Sequence, residues 1–584
     1  MQFQNIYQLF REQTARYRGE NVFYTRQRSE TPAVAGGLSA GNWKARTWDD
    51  FESQVHDFAC ALLAKGLAKG ASVAILAGNI PEWTIVDVAT IAAGGVGVGI
   101  YPTSPTEQCA YIINHSDAEF VFVDSLKQLE KVLQFDFPKV KEIICLEKMA
   151  EARTLVRAEN TTTEDSALTN VRASAFSGFL AFGRENREEF LPKVEEIGFN
   201  AKSEETAIMV YTSGTTGQPK GAMLSHQYIL NSVESLRQSV PIFHEDTAFS
   251  YLPGCHVAER ISGIYNRLYN GTAAHFVDDL SKLYAYMFEV RPTVFASLPR
   301  FFEKIHAKIV AENGTDKVDP QIVKDAFGGN MRLLTSGGAP LPNEIAQFFS
   351  DAHLPILQAY GLTENICVAF NTVENLKFGT VGKPMPMCEV RIAEDGEILV
   401  KSPMMFSGYY KDAEKTAEMF DAEGWLKTGD LGTLDEDGFL RITGRKKEII
   451  VLSSGKNVAP ALVENLVKEN HLVSQCFLYG DGKSYCVALI TLNQTEAEMF
   501  AKAGNIEFRG FADLTKNQVV YDLINATVEK TNARLSSSEQ IKRFAILERD
   551  FSLEDDEITP TLKVKRNVVS EKFADLIENL YRNL

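Results

Sequence analysis

The sequence predicts an α/β protein with a large N-terminal domain of α/β subdomains, a small β-rich subdomain within it, and a small α+β C-terminal domain. Three changes of texture predict this. Before residue 150 and again after Thr206, apolar runs such as SVAILAG and FVFVD alternate with helical patterns such as FESQVHDFACALLAKGL, the order of a parallel sheet covered by helices. From about Val381 to Thr443, Asp395-Gly396 and Asp437-Gly438 each sit between alternating apolar strands, VRIAEDGEILV and LGTLDEDGFLRI, and read as tight hairpin turns. After the basic run Gly444-Arg445-Lys446-Lys447 come a helix near Ala461 to Lys468, a hairpin through Tyr479-Gly480-Asp481-Gly482, and further helices. The domain boundary is placed at that run, dividing the chain into 1–445, with the β-rich subdomain at 381–443, and 446–584.

At 584 residues and 45% hydrophobic composition the chain can bury several cores, since a prior of roughly 150 residues per domain allows three or four compact units. The 77 acidic residues outnumber the 60 basic ones for a net charge of −17, which argues against a nucleic-acid surface. Anionic ligands must therefore meet local cations. The eight cysteines form no C-x-x-C pair and are too sparse for a secreted disulfide framework, so a reducing cytoplasmic compartment fits best. The start, MQFQNIYQLFREQ, has no secretory pattern. The most apolar window, Trp83 to Pro102, contains Asp87 and several glycines and reads as a buried helix running into a strand. The stretch Arg153 to Thr169 lacks apolar periodicity and is expected to be an exposed loop.

The segment AIMVYTSGTTGQPKGAMLSH carries the first chemistry. It begins as a buried strand, passes through a loop of glycines and hydroxyls, and is expected to enter a helix with Ile229, Val233, Leu236 and Val240 on its apolar face. Gly214, Gly217 and Gly221 let backbone N–H groups approach a phosphate, Thr212, Ser213, Thr215 and Thr216 offer hydroxyls, and Lys220 adds a positive charge. Such a loop can hold a polyphosphate. It is not a Walker loop, because Lys220 is preceded by Pro219 and followed by Gly221 in place of Ser or Thr.

YTSGTTGQPKGAMLSH resembles throughout the phosphate-binding motif of the adenylate-forming superfamily, which includes acyl-CoA synthetases, luciferases and peptide-synthetase adenylation domains. Further segments extend the resemblance over nearly the whole chain. AYGLTE, Ala359 to Glu364, is similar to the motif in which the tyrosine, here Tyr360 beside Gly361, packs on adenine, Thr363 contacts phosphate and Glu364 helps bind Mg²⁺. A flat apolar face, a neutral donor and a hard anionic oxygen suit those roles. SGGAP resembles the turn along adenine and the acyl pocket, where Gly338, Ala339 and Pro340 leave room for a ligand. The resemblance of GWLKTGD and GRKKE implies that Asp430 and Arg445 contact the ribose hydroxyls.

The chemistry implied is activation of a carboxylate. Attack of the carboxylate on the α-phosphorus of ATP makes a mixed anhydride, with AMP as the later leaving group, and joining two anions requires cations on both. TPTLKVKR resembles the final motif, whose lysine, here Lys563, bridges carboxylate and α-phosphate; the neighbouring Lys565 and Arg566 read as surface charges. The resemblance further implies that the C-terminal domain is mobile, pivoting at Lys447 after adenylation so that the SSGKNVAP stretch, with Ser454, Gly455 and Lys456, lines the path of coenzyme A.

YLPGCHVAERISG, RPTVFASLPRFFEKI and EGWLKTGDLGTLDEDGFLRITGRKKE resemble segments of long-chain fatty acyl-CoA synthetases. Expected substrates are therefore a medium- to long-chain fatty acid, ATP and coenzyme A, with Mg²⁺ as cofactor, in a cytoplasmic enzyme with peripheral membrane contact. In that first segment His256 corresponds to a position near the reacting carboxylate, a core or loop histidine being the chemical alternative, and Gly254 departs from the bulkier leucine of the pattern. The other readings are a fatty acyl-AMP ligase, an aryl or short-chain acid–CoA ligase, and a catalytically silent nucleotide- or fatty-acid-binding protein.

Overall fold

The computed structural model describes residues 3–26, 43–147, 172–212, 218–313, 319–559 and 563–582. The expected loop Arg153 to Thr169 and the phosphate-loop residues Ser213, Gly214, Thr215, Thr216 and Gly217 lie outside them.

Two large sheets carry the N-terminal part. In the first, the parallel strands Ser72–Leu76, Val96–Ile100, Ala118–Val123, Glu142–Cys145, Arg172–Ala175 and Thr206–Thr212 are extended by two antiparallel strands, Lys220–Ser225 and Gly408–Tyr409. In the second, parallel strands at Asn21–Arg26, Ala273–Phe276, Thr247–Ser250, Val294–Ser297, Leu333–Ser336 and Ile356–Leu362 are flanked by antiparallel ones. The window Trp83 to Pro102 is a buried helix, Pro81–Ala92, followed by the buried strand Val96–Ile100, because its apolar residues have neighbours on every side. Among the described residues no helix is long and apolar enough to cross a membrane.

The helix Trp48–Ala64 shows how local signals set an element. Thr47 accepts from the backbone N–H of Asp50 while the Asp50 carboxylate returns the bond to Thr47, a capping box that satisfies two N-terminal donors. Its apolar face then joins the main core with Phe51, Val55, Phe58 and Leu62.

The turns at Asp395-Gly396 and Asp437-Gly438 organise a four-stranded antiparallel sheet of Glu389–Ile392, Glu397–Lys401, Leu426–Leu434 and Leu440–Arg445. Both glycines adopt positive φ, +84° and +82°, where a side chain is strained. From Ile450 onward the chain has cores of its own around a three-stranded sheet, Val473–Tyr479, Cys486–Leu492 and Ile541–Ile546.

One local expectation is corrected. The phosphate loop does not lead straight into a helix: Lys220–Ser225 is a strand paired antiparallel with Thr206–Thr212, and the helix begins at His226. The physical reason is packing at Gly221, where an added Cβ would stand 3.0 Å from the Tyr211 ring, so the two strands lie close and flat. Ser225 then caps the helix by accepting from Tyr228 N–H; Ile229, Val233 and Leu236 are buried on it and Val240 at its C-terminal cap.

Candidate active site

The C-terminal end of Ile356–Leu362 bends at a register shift between Tyr360 and Leu362, and Gly361 there has no room for a side chain against the carbonyl of Ile366. The bend sends the Tyr360 hydroxyl to Asp430 Oδ2, donating at 2.6 Å. Arg445 Nε donates to Asp430 Oδ1 at 2.9 Å, since Asp430 and Arg445 are opposed in the small sheet. Asp430 is only 5% exposed, so its charge is held by these two donors. Burial, then Asp430, push the Tyr360 hydroxyl well above its ordinary pKa. Burial opposes the charge of Arg445, but Asp430 and Glu448 outweigh it and raise its pKa.

Glu364 follows on the next turn. The Tyr228 hydroxyl fixes that turn, donating to the Thr363 carbonyl at 2.9 Å and accepting from Ile366 N–H at 3.1 Å. The Glu364 carboxylate accepts from the Tyr409 hydroxyl, while Lys220 Nζ sits 5.3 Å from the centre of the Tyr409 ring. Tyr409 can serve both because its strand pairs with Lys220–Ser225, placing it opposite Ala222. Thr212 and Lys220 face each other across the hairpin. No cation among the described residues lies within ion-pair distance of Glu364, and no cluster of three metal-ligating side chains occurs among them. A buried carboxylate that has a hydroxyl donor but no ion-pair partner among the described residues offers the hard anionic oxygen that Mg²⁺ prefers beside water and substrate phosphates.

Lys563 reaches this centre from the C-terminal part. The residue is solvent-accessible, yet burial, then the charge of Arg445, lower its pKa, while Asp430, Glu448 and Glu364 act the other way. Lys563 in turn acts on His256. Burial first and Lys563 second lower the imidazole pKa to about 4, so it is neutral at physiological pH. Its Nδ1 accepts from Ala258 N–H at 3.1 Å, which assigns the proton to Nε2 and makes that edge a neutral donor.

The turn after Leu333–Ser336 presents Gly338, Ala339 and Pro340 exposed, with Gly338 at φ +79° and Ala359 beside Gly337. Its side chains are absent or small, so the backbone is open to a ligand. Lys447 is exposed on the 3₁₀ turn Lys446–Glu448, one residue after Lys446, which is anchored to Asp395 at 2.5 Å and Glu397 at 2.8 Å. Ser454, Gly455 and Lys456 are exposed on a tight turn closed by Leu452 N–H on the Lys456 carbonyl at 3.0 Å.

Several functional neighbours escaped sequence reasoning. Tyr409 and Tyr228 bring no motif with them. Arg566, read as a surface charge, is a clamp: it pairs with Glu464 at 2.6 Å, donates to the Leu478 carbonyl and lies 4.7 Å over the Phe477 ring. A carboxylate, a carbonyl and a ring thus hold its partly buried guanidinium. Within HVAERISG, Arg260 and Asp87 are fully buried partners, joined by the Tyr265 hydroxyl at 2.7 Å and by the carbonyls of Gly97 and Met209. They tie the π-helical segment Ala258–Tyr265 to the first sheet. The departure at Gly254 has a steric counterpart, for the Trp83 indole stands 2.9–3.1 Å from where its Cβ would be. Cys255 and the other cysteines are free and buried, and burial pushes the Cys255 thiol up.

Comparisons with known proteins place the chain in a family. The AMP-binding enzyme family matches residues 21–410, and the AMP-binding enzyme C-terminal domain matches 447–584. The long-chain-fatty-acid–CoA ligase FadD15 of Mycobacterium bovis is 33% identical, covering 93% of either chain. The peroxisomal long chain acyl-CoA synthetase 6 of Arabidopsis thaliana is 30% identical, covering 94% of this chain and 83% of that one. The A domain of a carboxylic acid reductase from Segniliparus rugosus, solved with AMP and a carboxylic acid, superposes with a TM-score of 0.81 at 22% identity over 100% of this chain and 94% of that one.

Proposed function

The chain belongs to the AMP-binding enzyme family, in its long-chain fatty acid–CoA ligase branch, and we propose that the centre around Asp430, Glu364 and Lys563 carries its chemistry. The enzyme activates a fatty acid with ATP and transfers the acyl group to coenzyme A. In the first step a carboxylate oxygen attacks the α-phosphorus, the bond to pyrophosphate breaks, and pyrophosphate leaves. In the second the thiol sulfur attacks the acyl carbon, AMP departs with the bonding pair, and the thiol proton is lost.

Lys563 supplies the cation between the fatty carboxylate and the α-phosphate; burial first and Arg445 second lower its pKa. The convergence of Tyr360 and Arg445 on the buried Asp430 carboxylate, within the electrostatic reach of Lys563, is the observation that carries the reading. The neutral His256 Nε2–H donates to the carboxylate without adding a charge. Asp430 and Arg445 take the ribose, and Tyr360 with the Gly338–Pro340 turn takes the adenine. Lys220 and Thr212 at the rim of the loop, with Ser213 to Gly217, take the phosphates. Glu364 would hold Mg²⁺, which would supply positive charge opposite the phosphates.

The domain reading, 1–445 and 446–584 with a pivot at Lys447, is supported by the separate cores beyond Ile450 and by the anchoring of Lys446, just before the pivot, to Glu397. Rotation there withdraws Lys563 and brings Ser454, Gly455 and Lys456 toward the coenzyme A path. The working place proposed is the cytoplasm, with contact at membranes where long acids partition.

The test is a panel of acids of increasing chain length with ATP and Mg²⁺, scoring pyrophosphate, AMP and acyl-CoA with and without coenzyme A. Long-chain acyl-CoA formation, with pyrophosphate release before coenzyme A is added, is expected. Adenylate without thioester points to an acyl-AMP ligase, aryl preference removes the fatty acid, and no turnover leaves a binding protein.

A further inference from the structure

Both terminal nitrogens of Arg300, on the first turn of the helix Pro299–Asn313, donate to the main-chain carbonyl of Val473 at 3.2 Å. The helix belongs to the large domain and Val473 to the small one. One turn further on, the Glu303 carboxyl has its pKa raised by burial, and it feels Arg300 and Lys468 in the opposite sense and Glu469 in the same sense. Lys468 and Glu469 follow directly on the small-domain helix Pro460–Val467, so the contact is a patch and not a single bond.

Val473 opens the strand Val473–Tyr479, the edge strand of the small domain's sheet. The other end of the same strand holds the catalytic segment. Leu478 N–H donates to Glu464 at 2.8 Å, and the Leu478 carbonyl accepts from Arg566, three residues beyond Lys563. A paired strand is inextensible, rising about 3.3 Å per residue, so fixing one end fixes the other.

We infer that Arg300 is a positioning residue for adenylation: it holds the near end of this strand on the large domain and thereby sets where Lys563 stands beside Asp430 and His256. The inference rests on the proposed alternation of the small domain. A forked bond from a guanidinium to a neutral carbonyl is strong enough to bias an orientation about tenfold, yet leaves no unpaired buried carboxylate when it opens in each turnover. Arg300 is 35% exposed and its removal leaves both domain cores intact.

The experiment uses the full-length enzyme with Arg300→Ala, Arg300→Lys and Lys563→Ala. One arm measures fatty-acid-dependent pyrophosphate release without coenzyme A. The other measures conversion of supplied acyl-AMP and coenzyme A to thioester. Arg300→Ala is expected to slow the first about tenfold and to leave the second at or above the parent rate, with Arg300→Lys, which keeps one donor, in between. Equal loss in both arms, or an unchanged first arm, overturns the inference. If Lys563→Ala separates the arms and Arg300→Ala does not, the latch is wrong and the alternation stands. If Lys563→Ala itself fails to separate them, the alternation falls and the latch with it.

Discussion

Asp430 and Arg445 face each other across one register position of the small sheet, with Nε donating to Oδ1 at 2.9 Å, while Tyr360 from the second large sheet holds Oδ2 at 2.6 Å. Three segments thus converge on one buried carboxylate. Asp430→Asn keeps the shape but turns an NH₂ toward one of two donors, leaving it unpaired at a cost of about 1–3 kcal/mol. The expected result is a kcat/KM for ATP in adenylation reduced by about 10²-fold, dominated by KM; an unaltered KM for ATP would remove Asp430 from the nucleotide site.

Lys563→Ala removes a preorganised cation from the place where two anions meet. Pyrophosphate release should fall by at least ~10²-fold while supplied acyl-AMP is still converted to thioester. Equal loss of both half-reactions counts against the assignment.

Gly254 and Trp83 are expected to behave as one unit. Gly254→Leu forces the side chain into the indole and should destabilise the fold by about 1–3 kcal/mol in urea denaturation. Adding Trp83→Ala to Gly254→Leu should recover part of that loss. Strictly additive effects of the two substitutions would show that the pair is not coupled.

The buried histidines make stability depend on pH. Burial lowers His226 and His275 to about 4, so between that value and the ordinary value of about 6.5 the unfolded chain binds more protons than the native one. Stability is fully present above pH 6.5 and is lost as pH falls through this window. In denaturant titrations at pH 7 and pH 5, His226→Gln should flatten the loss by up to about 1.4 kcal/mol per pH unit. An unchanged slope would mean that His226 is not held neutral.

Much of this was legible in the residues, because its signals are local. The Asp-Gly turn at Asp437-Gly438 centres a hairpin, and counting outward from it brings Asp430 near Arg445; the shift between Leu431 and Gly432 that completes the pairing leaves no trace in the letters. The helix after Ser225 was visible through its apolar spacing, whereas the short strand Lys220–Ser225 was not, since six residues cannot separate two periods and its partner decides. Arg566 looked like a solvated charge because Glu464 lies on a helix far upstream. Tyr409 and Tyr228 were silent for the same reason: a tyrosine earns its hydrogen bond from tertiary placement, which no neighbouring residue announces.

The strand Gly408–Tyr409 completes the edge of the first sheet by returning to Lys220–Ser225 from a distant part of the chain. During synthesis the phosphate hairpin therefore emerges long before the residue that links its lysine to Glu364. Closing so long a loop is slow, and helices and parallel strands in between can form first. Affinity for ATP should arrive late in folding, as a property of the finished large domain, so a nascent chain halted before Tyr409 would display the loop without yet being a nucleotide-binding protein.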